Sequence, residues 1–335
     1  MKEHKNILKD THGRAHSYLR ISLTERCNLR CSYCMPAEGV QLSPKGHLMS
    51  YEEIYEIAKT FVEHGVTKIR LTGGEPLVRK DISVILEKLA SLSVELSITT
   101  NAVNVDRHID TLKTNGIKTI NVSLDSLNAE KFKHITRRDY FEKVYNNILL
   151  LNSEGFKVKV NVVLMKDFND NEIIDFINLT KTLPLTIRFI EFMPFDGNKW
   201  DMAKMVSYKS IMETVYNAFP EDQVHRLQDA PNDTSKNYRI KGFQGSFAII
   251  SSVTNPFCDS CNRLRLTANG QLKNCLFSST ESDLLTSLRQ GKSIEPIIQK
   301  AVLGKFKIRG SMNTLKKLQD PKLHSNNRSM ISIGG

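Results

Sequence analysis

Six runs of alternating apolar and polar residues recur between Tyr18 and Met193, at Tyr18 to Thr24, Lys68 to Thr72, Leu96 to Thr100, Ile117 to Asp125, Lys157 to Met165 and Ile187 to Met193. The spacing between them is helical. Between the first two runs, Ser50 and Glu53 form an S-x-x-E capping box ahead of Ile54, Ile57, Ala58 and Phe61, and the stretch stops at Gly65. Gly116 and Gly155 also end helical stretches just before a run, where a helix needs a left-handed stop. Repeated helix-glycine-strand units are parallel crossovers, so the pattern predicts an α/β barrel or a doubly wound sheet. After about residue 200 the pattern changes to one helix, Ser207 to Ala218, a polar loop through Asp229 to Lys236, and strands at Gly245 to Ser251 and Leu264 to Thr267. This divides the chain into residues 1–200 and a smaller C-terminal domain, 201–335, expected to close one end of the barrel.

Buried parallel strands ordinarily read as continuous apolar runs. Here Leu19, Ile21 and Leu23 interleave with Arg20 and Ser22, Ile69 and Leu71 with Arg70 and Thr72, and Leu96 and Ile98 with Ser97 and Thr99. Ile120 and Val122 interleave with Asn121 and Ser123, Val158 and Val160 with Lys159 and Asn161, and Ile187 and Phe189 with Arg188. If helices cover the apolar phase, the polar phase lines the interior, and Arg20, Arg70, Lys159 and Arg188 face one cavity. Cations crowded into a low-dielectric space need an anion. An antiparallel sheet with one wet face would also alternate, but the intervening helices weigh against it.

With 40% hydrophobic residues the chain can build a large core, and no stretch approaches the roughly 20 apolar residues of a membrane span. The first residues, MKEHKNILKDTHGR, contain no apolar signal region, so a cytoplasmic protein without membrane attachment is expected. A net charge of +11 implies an anionic partner. The basic residues are dispersed and carry no aromatic platform, which favours a small anionic ligand over stably bound nucleic acid.

All six cysteines fall in two triads, Cys27, Cys31, Cys34 and Cys258, Cys261, Cys275. In a reducing compartment, clustered cysteines are metal ligands or catalytic groups more often than disulfides. The first triad follows the first strand directly, the loop position where (β/α) barrels place their active sites. Three thiolates hold three irons of a cubane cluster and leave the fourth open, whereas a zinc site would call for a fourth ligand such as His. The run NLRCSYCMP offers no His at ligand spacing. For the second triad, Cys-x2-Cys with a distant third Cys also fits a zinc knuckle.

The first motif, Cys-x3-Cys-x-aromatic-Cys with Tyr33 as the aromatic, resembles the radical S-adenosylmethionine (SAM) signature, and Gly73-Gly74-Glu75-Pro76 resembles the loop that binds the SAM amino group. The segment CNRLRLTANGQLKNCLF resembles the GTP 3′,8-cyclase (MoaA) family, and the likeness runs from Asp10 and Gly13-Arg14 to Ile333-Gly334-Gly335. The resemblance implies an incomplete (β/α)6 radical-SAM barrel with two [4Fe-4S] clusters, the first chelating SAM and the second binding guanine. It implies GTP contacts at Arg20, Arg70, Thr99, Lys159, Arg263, Leu264 and Arg265, SAM contacts at Tyr33, Gly74, Ser123, Arg188 and Met193, and a catalytic role for Cys27, Cys31, Cys34 and a Gly334-Gly335 tail entering the site. The implied reaction takes hydrogen from C3′ of GTP and closes that carbon onto C8, giving (8S)-3′,8-cyclo-7,8-dihydroguanosine 5′-triphosphate, the first step of molybdenum cofactor biosynthesis. A homodimer, a low-potential electron donor and hand-over to cyclic pyranopterin monophosphate synthase are implied as well.

Two positions depart from the family pattern, which carries glycine where Ala102 and Arg137 stand. Ala102 disfavours a positive φ, so the loop after the third strand is expected to take a different shape. Two other readings compete, a peptide-modifying radical SAM enzyme with an auxiliary cluster and a zinc-stabilised RNA-binding protein. The first usually needs more C-terminal cysteines than the three present, and the second rests on net charge and Cys-x2-Cys alone.

Overall fold

A computed structural model describes residues 7–35, 38–195, 198, 200–320, 323 and 327–333. The six runs form β1 (Tyr18–Ser22), β2 (Lys68–Thr72), β3 (Glu95–Thr100), β4 (Thr119–Ser123), β5 (Lys157–Leu164) and β6 (Thr186–Glu191). They lie side by side in chain order, each parallel to the next, which removes the antiparallel alternative. The crossovers are α1 (Tyr51–Glu63), α2 (Ile82–Ala90), α3 (Ile109–Thr114), α4 (Ala129–Thr136), α5 (Phe141–Ser153) and α6 (Ile173–Leu179). At α1 the expected capping box is formed: Glu53 N–H donates to Ser50 Oγ at 3.2 Å, and Ser50 N–H donates to Glu53 Oε2 at 2.7 Å. The stop is Gly65, at φ 107°, a conformation open to glycine at little cost.

The phase argument holds in three dimensions. Leu19, Ile21, Ile69, Leu71, Ile98, Ile120, Val122, Ile187 and Phe189 are fully buried in one core with Ile54, Ile57, Ala58 and Phe61 of α1. Each such side chain contributes roughly 1.5–3 kcal/mol by leaving water. The register sets Arg20 beside Arg70 of β2, so these two cations of the opposite phase lie at one level of the sheet.

The residues after 200 do more than close one end. Following α7 (Tyr208–Ala218), β7 (Val224–Arg226), β8 (Lys236–Ile240) and β9 (Ser246–Ile250) add to one edge, and β9 runs parallel to β6. At the other edge β10 (Arg263–Leu266) runs parallel to β1, followed by antiparallel β11 (Gln271–Lys273) and β12 (Ser282–Asp283). The result is a single 12-stranded sheet ordered β12-β11-β10-β1-β2-β3-β4-β5-β6-β9-β8-β7. Helices α8 (Leu285–Arg289), α9 (Glu295–Leu303), α10 (Leu315–Gln319) and α11 (Met330–Ile333) complete the chain. Among the described residues no helix is long and apolar enough to cross a membrane.

Ala102 corrects one expectation. It takes a left-handed backbone, φ 60°, despite its Cβ, and Arg137 does the same at φ 55°. Thr100 Oγ1 accepts the Ala102 N–H at 3.0 Å and Asn147 Nδ2 donates to its carbonyl at 2.7 Å, so the loop is held from both sides.

Candidate active site

The chain leaves β1 and enters the first cysteine loop, which docks on the end of α4. Arg30 N–H donates to Thr136 O and Ser32 N–H to Ile135 O, both at 2.9 Å. Arg137 Nη1 then reaches back to the carbonyls of Arg30 at 2.8 Å and Met35 at 3.2 Å, holding both ends of the segment that carries Cys31 and Cys34. Cys27 Sγ accepts from Leu29 N–H at 3.4 Å and from Asn101 Nδ2 at 3.7 Å. Burial, and then the nearby Glu75 carboxylate, push the Cys27 thiol up to about 11. Burial, neighbouring sulfurs and Asp125 hold Cys31 and Cys34 high as well. Thiolates so crowded require positive charge among them, which iron supplies.

Beside this loop lies Gly73-Gly74. A Cβ on Gly74 would stand 2.4 Å from Arg26 O, so only glycine lets the two loops approach this closely. Glu75 turns inward and is 1% exposed. It accepts from Leu77 N–H at 3.0 Å, Thr100 Oγ1 at 2.8 Å and Asn101 N–H at 2.6 Å, tying the β2 and β3 loops together. Burial raises its pKa to about 7. Tyr33 donates to Asp125 Oδ2 at 2.7 Å, and Val163 N–H donates to Asp125 Oδ1 at 2.8 Å. Asp125 is pushed up to about 6 by burial.

One cavity is lined by Arg20, Cys27, Cys31, Tyr33, Cys34, Arg70, Gly74, Thr99, Ser123, Arg188 and Met193, and from the C-terminal half by Cys258, Cys261, Arg263, Arg265 and Cys275. Burial, then Arg70 and Arg263, lower Arg20 to about 10; burial, then Arg70, lower Arg188 to about 9. Among the described residues, the Nε atoms of Arg20 and Arg188 and Nη2 of Arg263 are buried without a hydrogen-bond partner. These orphaned donors in a cationic space fit a polyanion carrying many acceptor oxygens. Lys159 lies outside the lining but in the same polar phase; burial, Arg188 and Arg70 bring it down to about 8. Leu264 is on the opposite phase, its side chain in the apolar core. Gly334 and Gly335 lie outside the described residues, although Met330 and Ile331 shortly before them line the cavity.

Around the second triad, Glu191 accepts from Val253 N–H at 2.8 Å and Thr254 N–H at 2.9 Å, fixing the turn that leads into Cys258. Arg14, clamped to Asp10 at 2.6 Å, donates to Cys258 O at 2.8 Å. Among the described residues no three His, Cys, Asp or Glu side chains are gathered around one point, at either triad. A cubane spreads its ligands over separate corners, and three thiols facing one cavity fit that larger group.

Several further residues at the site are not among the candidate site residues read from the sequence. Asp125 and Asn161 follow Ser123 and Lys159 by two, so the alternation already places them on the polar phase. Asn101, Lys305 and Arg309 come from loops and helix ends, where no periodicity applies.

Two family models match, Radical SAM superfamily over residues 21–180 and Molybdenum Cofactor Synthesis C over residues 185–311. The mitochondrial GTP 3′,8-cyclase of Arabidopsis thaliana is 47% identical over 98% of this chain and 84% of its own length. The GTP 3′,8-cyclase of Listeria monocytogenes is 41% identical over 98% of this chain and 99% of its own. Molybdenum cofactor biosynthesis protein 1 of Mus musculus is 46% identical, and the chain spans 51% of that longer relative. Among solved structures, Streptococcus suis SuiB bound to S-adenosylmethionine has a TM-score of 0.59 at 18% identity, covering 83% of this chain and 67% of that one. That likeness is one of fold.

Proposed function

Because the chain belongs to the GTP 3′,8-cyclase family of the radical SAM superfamily, we propose that it converts GTP to the 3′,8-cyclised dihydroguanosine triphosphate that begins molybdenum cofactor biosynthesis. The observation that carries this reading is one shared cavity on which both cysteine triads and Arg20, Arg70, Arg188, Arg263 and Arg265 open.

Cys27, Cys31 and Cys34 would hold an iron-sulfur cluster, which together with SAM would supply one-electron cleavage and a hydrogen-abstracting radical. The rest of the work falls to the chain's own side chains. Tyr33, fixed by Asp125, and the Gly74 loop, fixed by Glu75, shape the SAM side of the cavity. Ser123, Arg188 and Met193 line it there. Arg20, Arg70, Lys159, Arg263 and Arg265 neutralise the triphosphate, and forked guanidinium donors suit its oxygens. Thr99 adds a neutral hydroxyl. Cys258, Cys261 and Cys275 are proposed to hold a second cluster that receives the guanine base. Phe257 and Phe277 on the cavity wall exclude water. The Gly334-Gly335 tail is proposed to sense the bound nucleotide.

Anaerobic reconstitution with iron and sulfide, followed by SAM, GTP and dithionite, tests the reading. Formation of 5′-deoxyadenosine and a cyclised guanine nucleotide is expected, and SAM cleavage without a new nucleotide would count against it.

A further inference from the structure

The two triads sit in opposite electrostatic surroundings. Near Cys27 and Cys31 the carboxylates of Glu75 and Asp125 oppose thiolate charge, and both are buried, at 1% and 5% exposure. Near Cys261 the strongest charged neighbours are cations, Lys305 and then Arg263.

Lys305 follows the end of α9, where its N–H closes the last turn on Val302 O at 3.1 Å. The side chain turns inward and the residue is only 4% exposed. Its ammonium donates to Arg263 O at 2.8 Å and lies 3.5 Å from Cys261 Sγ. The Asp10 carboxylate is taken by Arg14 and His16. A buried ammonium is costly, and this one is placed against a ligand sulfur.

We propose that Lys305 sets the reduction potential of the second cluster, holding it above that of the first, by donating a charge-assisted hydrogen bond to Cys261 Sγ. The proposal rests on the reading that the second triad holds a cluster. An electron added to a cluster increases negative charge on its sulfurs. A fixed cation with an N–H donor therefore stabilises the reduced state more than the oxidised one, and neighbouring carboxylates do the reverse.

The test is a redox titration of the reconstituted full chain, followed by electron paramagnetic resonance, in wild type, Lys305→Gln, Lys305→Arg and Cys275→Ala. Two couples are expected in wild type, the more positive of them absent in Cys275→Ala. In Lys305→Gln that couple alone moves to more negative potential, and Lys305→Arg restores most of the difference. An unchanged potential in the Gln variant overturns the proposal. So does loss of the second cluster from it, which would make Lys305 a structural pin. A wild-type protein with about four irons and one couple instead removes the second-cluster reading itself, whatever Lys305 does.

Discussion

The Tyr33 hydroxyl donates to Asp125 Oδ2 at 2.7 Å, fastening the aromatic residue of the first cysteine loop to the end of β4. Both groups are desolvated, so a lone partner would be left unsatisfied. Asp125→Ala should weaken SAM binding about tenfold or more, since a lost bond to a charged group costs roughly 1.5–3 kcal/mol. Calorimetric titration of SAM into cluster-loaded protein measures this, and an unchanged affinity would show that Tyr33 is held by packing alone.

Arg70 and Lys159 share the polar phase of β2 and β5 and depress or crowd the same interior as Arg188. Arg70→Met and Lys159→Met should each lower GTP affinity by roughly 10- to 150-fold, the equivalent of about 1.5–3 kcal/mol, and lower guanosine affinity far less. Equal losses for nucleoside and triphosphate would assign these cations to something other than phosphate.

His16 is 1% exposed, bonded to Asp10 at 3.2 Å, and burial and then the Lys305 charge lower its pKa from 6.5 to about 3. The unfolded chain therefore binds a proton that the folded chain refuses between those values. Stability from this group is present above pH 6.5 and is lost as pH falls toward 3. Between pH 7.5 and 5.5, wild type should lose about 1–1.5 kcal/mol more than His16→Gln, from about 1.36 kcal/mol per unit. Anaerobic urea unfolding of the two proteins reads the difference, and parallel curves would contradict it.

Arg137 combines a left-handed backbone with a side chain that grips Arg30 O and Met35 O. Arg137→Ala should release the first cluster to a chelator several times faster, with the second unaffected. Ala102→Gly, by contrast, should be neutral within about 0.5 kcal/mol, because relief of the positive φ offsets the lost methyl and added chain entropy. At Ala58, inside α1, the same change should cost about 1 kcal/mol. Thermal or urea unfolding distinguishes them.

The sheet was legible because alternation with period two and helix stops at Gly65, Gly116 and Gly155 are local signals, and Arg20, Arg70 and Arg188 inherit their facing from the strand. Register is not local. Nothing in the residues after 200 says that β9 and β10 would join opposite edges of one sheet, since that pairing depends on long-range closure. Lys305 was invisible for the same reason: its neighbour Cys261 is 44 positions away, and a lysine at a helix end ordinarily points to water. Ala102 shows the other limit, as hydrogen bonds from Thr100 and Asn147 override a backbone preference that the sequence alone would respect.

The measurement that bears most directly on the account is the fate of the 3′ hydrogen. With GTP deuterated at C3′, SAM and dithionite, the reconstituted protein should deliver one deuterium into 5′-deoxyadenosine while the label disappears from the cyclised nucleotide. Deoxyadenosine that forms at full rate without acquiring deuterium would contradict it.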